Sequence, residues 1–237
     1  MWCHSCREEY EEEDAGTCKE CYEEASETEE ELKREIEDLK AKVAFLRLCS
    51  PVDPSPSSPT TTDVVLHAAS PAGECTSVPP IPAHRAVLMS RSPVFKAMLE
   101  NEMEESRSGM IKITDVTYNV LRSFVHYLYT AEVLLDEQMA CDLLILAEKY
   151  QVKHLKAFCE KFMISKINND NAIVSFAFAH RHNAQHLLEA ALSLLLDNMS
   201  TLTAREEYKE LVEKDPRLVV EIFEAYLRRQ VNIALKD

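Results

Sequence analysis

Glycine is almost missing from this 237-residue chain: Gly16, Gly73 and Gly109 are all it has. Loops that cradle phosphates need several glycines close together so that the backbone can approach the ligand, and three isolated ones cannot build such a loop. Nucleotide chemistry is therefore not expected. Long apolar runs are missing too. None approaches the roughly 18 residues that span a bilayer, so no membrane partner is expected. Positive charge is also short: 26 Lys and Arg face 41 Asp and Glu, giving a formal net charge of −15. Residues 1–49 alone hold sixteen acidic residues against seven basic. Nucleic-acid binding draws on cations that displace phosphate counterions, and this balance points away from it. The acidic run reads most simply as a solvated face. Finally, the opening MWCHSCREEYEEED lacks the basic-then-apolar order of a secretory signal. The expected compartment is the cytoplasm or nucleus, where the eight cysteines are thiols or metal ligands rather than disulfides.

What is present divides the chain into segments. Hydrophobic residues make up 46%, enough to bury a core. Residues 1–25 are acidic and carry two Cys-x-x-Cys pairs. Residues 26–49 read as one helix, in which Leu32, Ile36, Leu39, Val43 and Leu46 step by 4, 3, 4 and 3, an a/d seam of about two heptads. Glu29–Lys33, Glu30–Arg34 and Asp38–Lys42 stand at i,i+4 with the acid first, the favourable orientation. The stripe fits either self-association, as a short coiled coil, or docking on the rest of the chain. Residues 50–62, SPVDPSPSSPTTT, hold four prolines and read as a semi-rigid linker.

After the linker, DVVLHAA and MIKITD suit short strands. Ser92 is a good N-cap with Pro93 at the first helical position, where its missing donor costs nothing. TYNVLRSFVHYLYT places Val120, Leu121, Phe124, Val125 and Leu128 on one helical face. EQMACDLLILAEKY, VKHLKAFCEKFMISK, NAIVSFAFAHRH, AQHLLEAALSLLLDNM and RLVVEIFEAYLRR all carry helical periodicity. The fold class expected is α+β, predominantly α.

The succession DVVL, AHRAVLMSRSPVFKAML, IKITDV, FVHYLYT and DLLILAEKYQVKHLKAFCE resembles the BTB/POZ domain, a protein-interaction fold, here over 63–165. The helical remainder, 166–237, resembles the BACK-type extension that follows BTB in speckle-type POZ protein and its relatives. The arrangement is similar to that of plant BTB/POZ domain-containing proteins. Together the two parts cover about Asp63 to Leu227.

The resemblance implies three sites. Adaptor-type members contact cullin-3 through a hydrophobic-x-Glu tripeptide after the Arg-Ser-Pro helix, and Met103, Glu104 and Glu105 stand at that place. An exposed Met is an adaptable apolar knob, and a flanking carboxylate can pair with a basic partner. Two helices, Asn171–Arg181 and Gln185–Asn198, correspond to a groove that cradles the cullin, with Ile173, Phe176, Leu188, Leu192 and Leu195 holding them together. Members also form homodimers through the helix carrying AHRAVLMS, which places His84, Val87 and Leu88 at the dimer interface. The N-terminal helix that relatives swap between protomers has no counterpart in the Pro-Ser linker. The seam of Leu32, Ile36, Leu39, Val43 and Leu46 is the expected substitute.

Two departures matter. Relatives often have glycine after the long helix, whereas this chain has Ala131, so a left-handed cap there carries about 1 kcal/mol of strain. Corepressor-recruiting relatives carry a basic residue just before Ala-His, and here it is Pro82, which weakens a repressor reading.

Cys3-x-x-Cys6 and Cys18-x-x-Cys21 form a metal-ligand pattern. Two such turns can present four thiolates to one tetrahedral Zn²⁺, closing a structural site. The eleven residues between the pairs make a tight loop. Redox thiols and unstructured cysteines are the alternatives, although a thioredoxin-like motif would open a helix in a βαβ unit, and none is present. His4, inside the first turn, is a poor further ligand. Four ligands are half of what a RING requires. Cys49, Cys75, Cys141 and Cys159 lack partner spacing, and Cys141 and Cys159 read as core thiols.

The first functional expectation is a substrate adaptor of a cullin-3 ubiquitin ligase, acting by position: it holds cullin and an unknown substrate protein so that transfer becomes effectively intramolecular. The second is a BTB-mediated self-assembly scaffold or transcriptional regulator. An enzyme is not expected, because His84, His126, His154, His180, His182 and His186 lie on or beside helices without a nucleophile elbow or paired carboxylates. Neither a MATH nor a Kelch pattern occurs in these residues, so the segment that reads substrate is unassigned.

Overall fold

A computed structural model describes residues 2–9, 16–48, 50–51, 62–68, 78–101, 104–203 and 205–234, without the side chains of 42–48 and 232–234. The chain forms two compact units, residues 1–50 and 51–237.

In the first unit the sequence turns at Cys3–Cys6, makes an isolated antiparallel bridge between Trp2 and Glu9, and enters α1 (Lys19–Leu48). The helix thus starts at Lys19 and not at 26. No proline or glycine falls between Lys19 and Leu48 to stop it, and Glu20 in the first turn complements the helix dipole. Lys19–Glu23 (3.9 Å), Glu29–Lys33 (2.6 Å) and Glu30–Arg34 (3.6 Å) brace its surface.

The second unit begins with β1 (Val64–Ala68) and β2 (Ile81–Ala83), then α2 (Arg85–Arg91), α3 (Pro93–Glu100), α4 (Glu104–Ser108) and β3 (Met110–Ile113). Helices α5 (Tyr118–Thr130), α6 (Glu137–Lys149) and α7 (Lys153–Lys166) follow. A helical extension closes the chain: α8 (Ala172–Arg181), α9 (Gln185–Asp197), α10 (Met199–Leu202), α11 (Glu206–Lys214) and α12 (Pro216–Ala234).

The sheet order is β2-β1-β3. β2 runs antiparallel to β1, with Val64 opposite Ala83, and β3 runs parallel to it, with Leu66 opposite Ile111. A parallel pair needs a crossover, and α2, α3 and α4 provide it. Strict alternation in β3 buries Ile111 and Ile113 and exposes Met110 and Lys112. The strand β2 contains Pro82, which an edge strand tolerates because its missing donor leaves no ladder bond unmade.

The predicted face of α5 (Val120, Leu121, Phe124, Val125, Leu128) is buried as expected, and it packs with Leu66, Leu88, Phe95, Ile111 and Leu143 in one core. Phe95 stacks on Tyr150 with ring centroids 4.5 Å apart, and Phe124 completes the cluster at 5.6 Å from Tyr150. Each such ring or Leu removed from water stabilises by roughly 1.5–3 kcal/mol. Ser92 ties this cluster together. Its hydroxyl accepts from Phe95 N at 3.1 Å, capping α3, and donates to Tyr150 O at 2.6 Å. Ala131 ends α5 in the left-handed region at φ 56°, and its amide closes on Tyr127 O.

The extension has its own core, in which Ile173, Phe176, Ala191, Leu195, Leu211, Leu218 and Ile222 are buried. Leu188 and Leu192 are half-buried against it. Glu160 on α7 joins the extension to the first core: it is buried, and its Oε2 accepts from His186 N at 2.9 Å and Leu187 N at 3.3 Å. The residue before α9 is Ala184, which has no side-chain cap to offer. A carboxylate from α7, two helices back, satisfies those orphan amides instead.

Candidate metal centre and interaction surface

The four predicted cysteines converge. The sulfurs of Cys3, Cys6, Cys18 and Cys21 all lie within 4.8 Å of one another, and Cys6 Sγ and Cys18 Sγ are 3.8 Å apart. Local backbone geometry produces this. Arg7, in the left-handed region at φ 61°, donates its amide to Cys3 O at 3.0 Å and closes the first Cys-x-x-Cys turn. Cys18 precedes α1 and Cys21 lies in its first turn, so the helix start presents the second pair. His4 N donates to Gly16 O at 2.7 Å, latching the two halves. The His4 ring lies against Gly16, where an added Cβ would meet it at 2.8 Å. His4 is outside the sulfur cluster.

The electrostatics of the cluster are uneven. Cys3 is buried, and its sulfur accepts from Cys18 N at 3.3 Å and Ser5 N at 3.4 Å. The Cys18 amide foremost, followed by that of Cys6, lowers this thiol to about 6. Cys21 is pushed up to about 12, first by the Cys18 side chain and then by that of Cys6. Sulfurs this close repel one another once charged, so without a cation they cannot all ionise. A divalent cation among them reverses that balance. The donor set and the amide-to-sulfur bonds suit a soft, tetrahedrally ligated metal.

Cys159 is fully buried, and burial foremost pushes its thiol up to about 12. Cys141 is half-buried and raised by the same cause. These are core thiols. Cys49 and Cys75 lie outside the described residues.

The residues expected at protein interfaces separate into three groups. Leu88 is 0% exposed and sits in the protomer's own core, so it cannot be an interface contact. Its assignment to the dimer face is corrected: the apolar period of α2 serves the inside of the molecule. Val87 is half-buried against that core. His84 is half-buried as well, with its amide donating to the Tyr129 hydroxyl at 2.7 Å and its Nδ1 2.9 Å from the same oxygen. Its ring is anchored within the chain.

Glu104 and Glu105 form the first turn of α4, with Glu104 exposed and Glu105 half-buried. Met103 lies outside the described residues. α4 is held from three sides. Ser106 Oγ donates to Leu99 O at 2.8 Å, the Arg85 guanidinium donates to Ser106 O, and Gly109 N donates to Glu105 O at 3.0 Å. Gly109 is left-handed at φ 67°, and a Cβ there would come within 3.1 Å of Asp63 O. The third group, Leu32, Ile36 and Leu39 on α1, is 58%, 49% and 51% exposed. Val43 and Leu46 lie on the same helix, but their side chains are outside the described residues.

Sequence reasoning missed the strand β2, the Tyr129 hydroxyl and the Glu160 cap. It also missed Leu134, 95% exposed beside the half-exposed ring of Phe158 in a hollow of about 580 Å³. No pattern in the sequence marks any of them. Among the described residues no helix is long and apolar enough to cross a membrane.

This fold, a three-stranded sheet clasped by helices with an Ala-His turn and an Arg-Ser-Pro helix, is that of a family of protein-interaction modules. The BTB/POZ domain family model matches residues 54–167. The chain is 67% identical to the BTB/POZ domain-containing protein At4g08455 of Arabidopsis thaliana, over 99% of this chain and 96% of that one. The chain belongs to the BTB/POZ family. It is also 35% identical to TD and POZ domain-containing protein 4 of Mus musculus, over 62% of this chain and 40% of that one. To protein maternal effect lethal 26 of Caenorhabditis elegans it is 35% identical, over 60% of this chain and 37% of that one. It thus spans about two fifths of the length of these animal relatives.

Proposed function

We propose that this chain is a substrate adaptor of a cullin-3 ubiquitin ligase, with Met103, Glu104 and Glu105 as its cullin contact. The observation that carries the reading is the short helix α4 that follows the Arg-Ser-Pro helix, with Glu104 exposed at its start and its backbone pinned by Arg85, Ser106 and Gly109. A carboxylate on a fixed backbone loses little entropy on pairing with a basic partner, which favours recognition. The extension, read as BACK-like, supplies the pair α8–α9 as a second contact. The four-cysteine cluster holds one structural Zn²⁺. The chain itself performs no bond chemistry: it places a substrate near the transferring machinery, and the gain is effective concentration.

Calorimetric titration of the full chain with a cullin-3 N-terminal domain tests this, beside a Met103→Asp, Glu105→Lys double variant. Binding at about 1 μM or tighter corresponds to some 8 kcal/mol. The reading expects that affinity in the wild type and its loss in the folded variant. A folded wild-type chain that does not bind would sink the adaptor reading and leave a self-assembly scaffold.

A further inference from the structure

We infer that α1 pairs with the α1 of a second copy of this chain, parallel and in register, as a short two-stranded coiled coil. The helix runs for 30 residues, yet Leu32, Ile36 and Leu39 are about half exposed. A helix of this length draws most of its stability from packing an apolar stripe, and the described side chains of this one are half exposed.

The residue types select the partner. With Leu32 at d, Ile36 falls at a and Leu39 at d, and the sequence continues with Val43 at a and Leu46 at d. β-branched residues at a with leucine at d favour two parallel strands over three or four. The flanking charges set the register. In a parallel pair each g position faces the e position five residues along the partner, so Glu35 of one copy meets Lys40 of the other, twice by symmetry. The following pair, Lys42 with Arg47, is like-charged, so the favourable register rests on Glu35 and Lys40 together with the seam. Upstream, Tyr22 continues the a positions at 70% exposure. Glu29, also at a, ends the dry seam.

A seam of about two heptads gives a modest affinity that rises with any other contact tethering the chains. Parallel axes lie roughly 8–10 Å apart, so the pairing sets the two cysteine clusters side by side at one end. This inference does not depend on cullin binding: the titration above addresses Glu105, and neither result alters the other.

The test introduces Ile36→Cys and Leu39→Cys separately into the zinc-loaded full chain. After mild oxidation, tryptic cross-links are read by mass spectrometry. Both positions are half exposed, so neither change threatens folding. Parallel, in-register helices cross-link residue 36 to 36 and residue 39 to 39. An antiparallel pair lets at most one position meet itself. One self-link alone, or none, overturns the proposal. Sedimentation of Glu35→Lys checks the register: dimer dissociation rises several-fold, and adding Lys40→Glu restores the wild-type value. Failure of the second change to restore it refutes the Glu35–Lys40 pairing.

Discussion

The backbone amide of His84 donates to the hydroxyl of Tyr129, and the ring Nδ1 of the same histidine lies 2.9 Å from that oxygen. The phenol thus meets both the main chain and the ring of the histidine that leads into α2. One buried phenol, 45 residues along the chain, anchors both the backbone and the ring at the turn into α2. Tyr129→Phe keeps the ring and strands both partners. The expected loss is about 1–3 kcal/mol, read as a lower urea midpoint with an unchanged slope. A loss under about 0.5 kcal/mol would show that water replaces the hydroxyl.

Glu160 makes a second long-range cap. Glu160→Ala removes the acceptor for the first amides of α9 and costs about 2 kcal/mol. Glu160→Gln retains an oxygen and recovers about half. Hydrogen exchange identifies the mechanism, because the amides of His186 and Leu187 lose protection in Glu160→Ala before those in α5 do.

Ala131 is the opposite case, a place where the chain is less stable than it could be. Relieving a left-handed alanine gains about 1–2 kcal/mol, and the freer unfolded glycine gives back about 0.4–1. Ala131→Gly therefore raises stability by about 0.5–1 kcal/mol, and Ala131→Val lowers it. Thermal melts of the three proteins check the order.

Removing the proposed zinc is expected to act on the first unit. The purified chain is expected to carry one zinc, measured by elemental analysis, and none in Cys6→Ser, Cys21→Ser. A chelator lowers helical circular dichroism as α1 loses its anchored start, while the main melting transition stays put. A wild-type chain purified with zinc in the medium and still free of metal would refute the site.

Two groups report on pH. His182 lies against Phe178 with ring centroids 4.6 Å apart, and burial foremost, then the Arg181 charge, lowers its pKa below the usual histidine value. The unfolded chain therefore takes up this proton more readily. Its stabilising contribution is complete above about pH 6.5 and is lost as pH falls through that value towards the depressed folded one. Asp115 accepts from Lys149 at 2.7 Å, which holds its carboxyl below the usual range. Its contribution is present above about pH 4 and disappears as pH falls through the folded pKa. Between pH 7.5 and 5.5, His182→Gln should flatten the fall in urea midpoint, whereas Asp115→Asn should leave that slope alone.

Much of this was legible in the sequence because it is local. Ser92 and Pro93 announce a helix start within three residues, Ala131 stands where a glycine is wanted, and the period of α5 names its buried face. The cysteine spacing brought four sulfurs together correctly. The failures share a different cause. Periodicity shows that Leu88 is on an apolar face, but not whether that face meets the core or another chain. Glu160 reads as one more carboxylate on an amphipathic helix until the fold brings α9 across its end. β2 is three residues with a proline inside and carries no strand signal at all. α1 begins before its apolar seam does: residues 19–31 are mostly acidic and polar and carry no apolar period to mark a helix.

The Glu160 cap has a mechanical consequence. α7 contributes Leu155 and Cys159 to one core and, one residue later, grips the start of α9. The two holds are adjacent in sequence. A pull on α9 acts on α7 through the amides of His186 and Leu187, so the cap couples the start of the extension to a helix of the first core. For the proposed adaptor, stiffness at this junction would keep two binding surfaces at a fixed separation that a floppy spacer would average away.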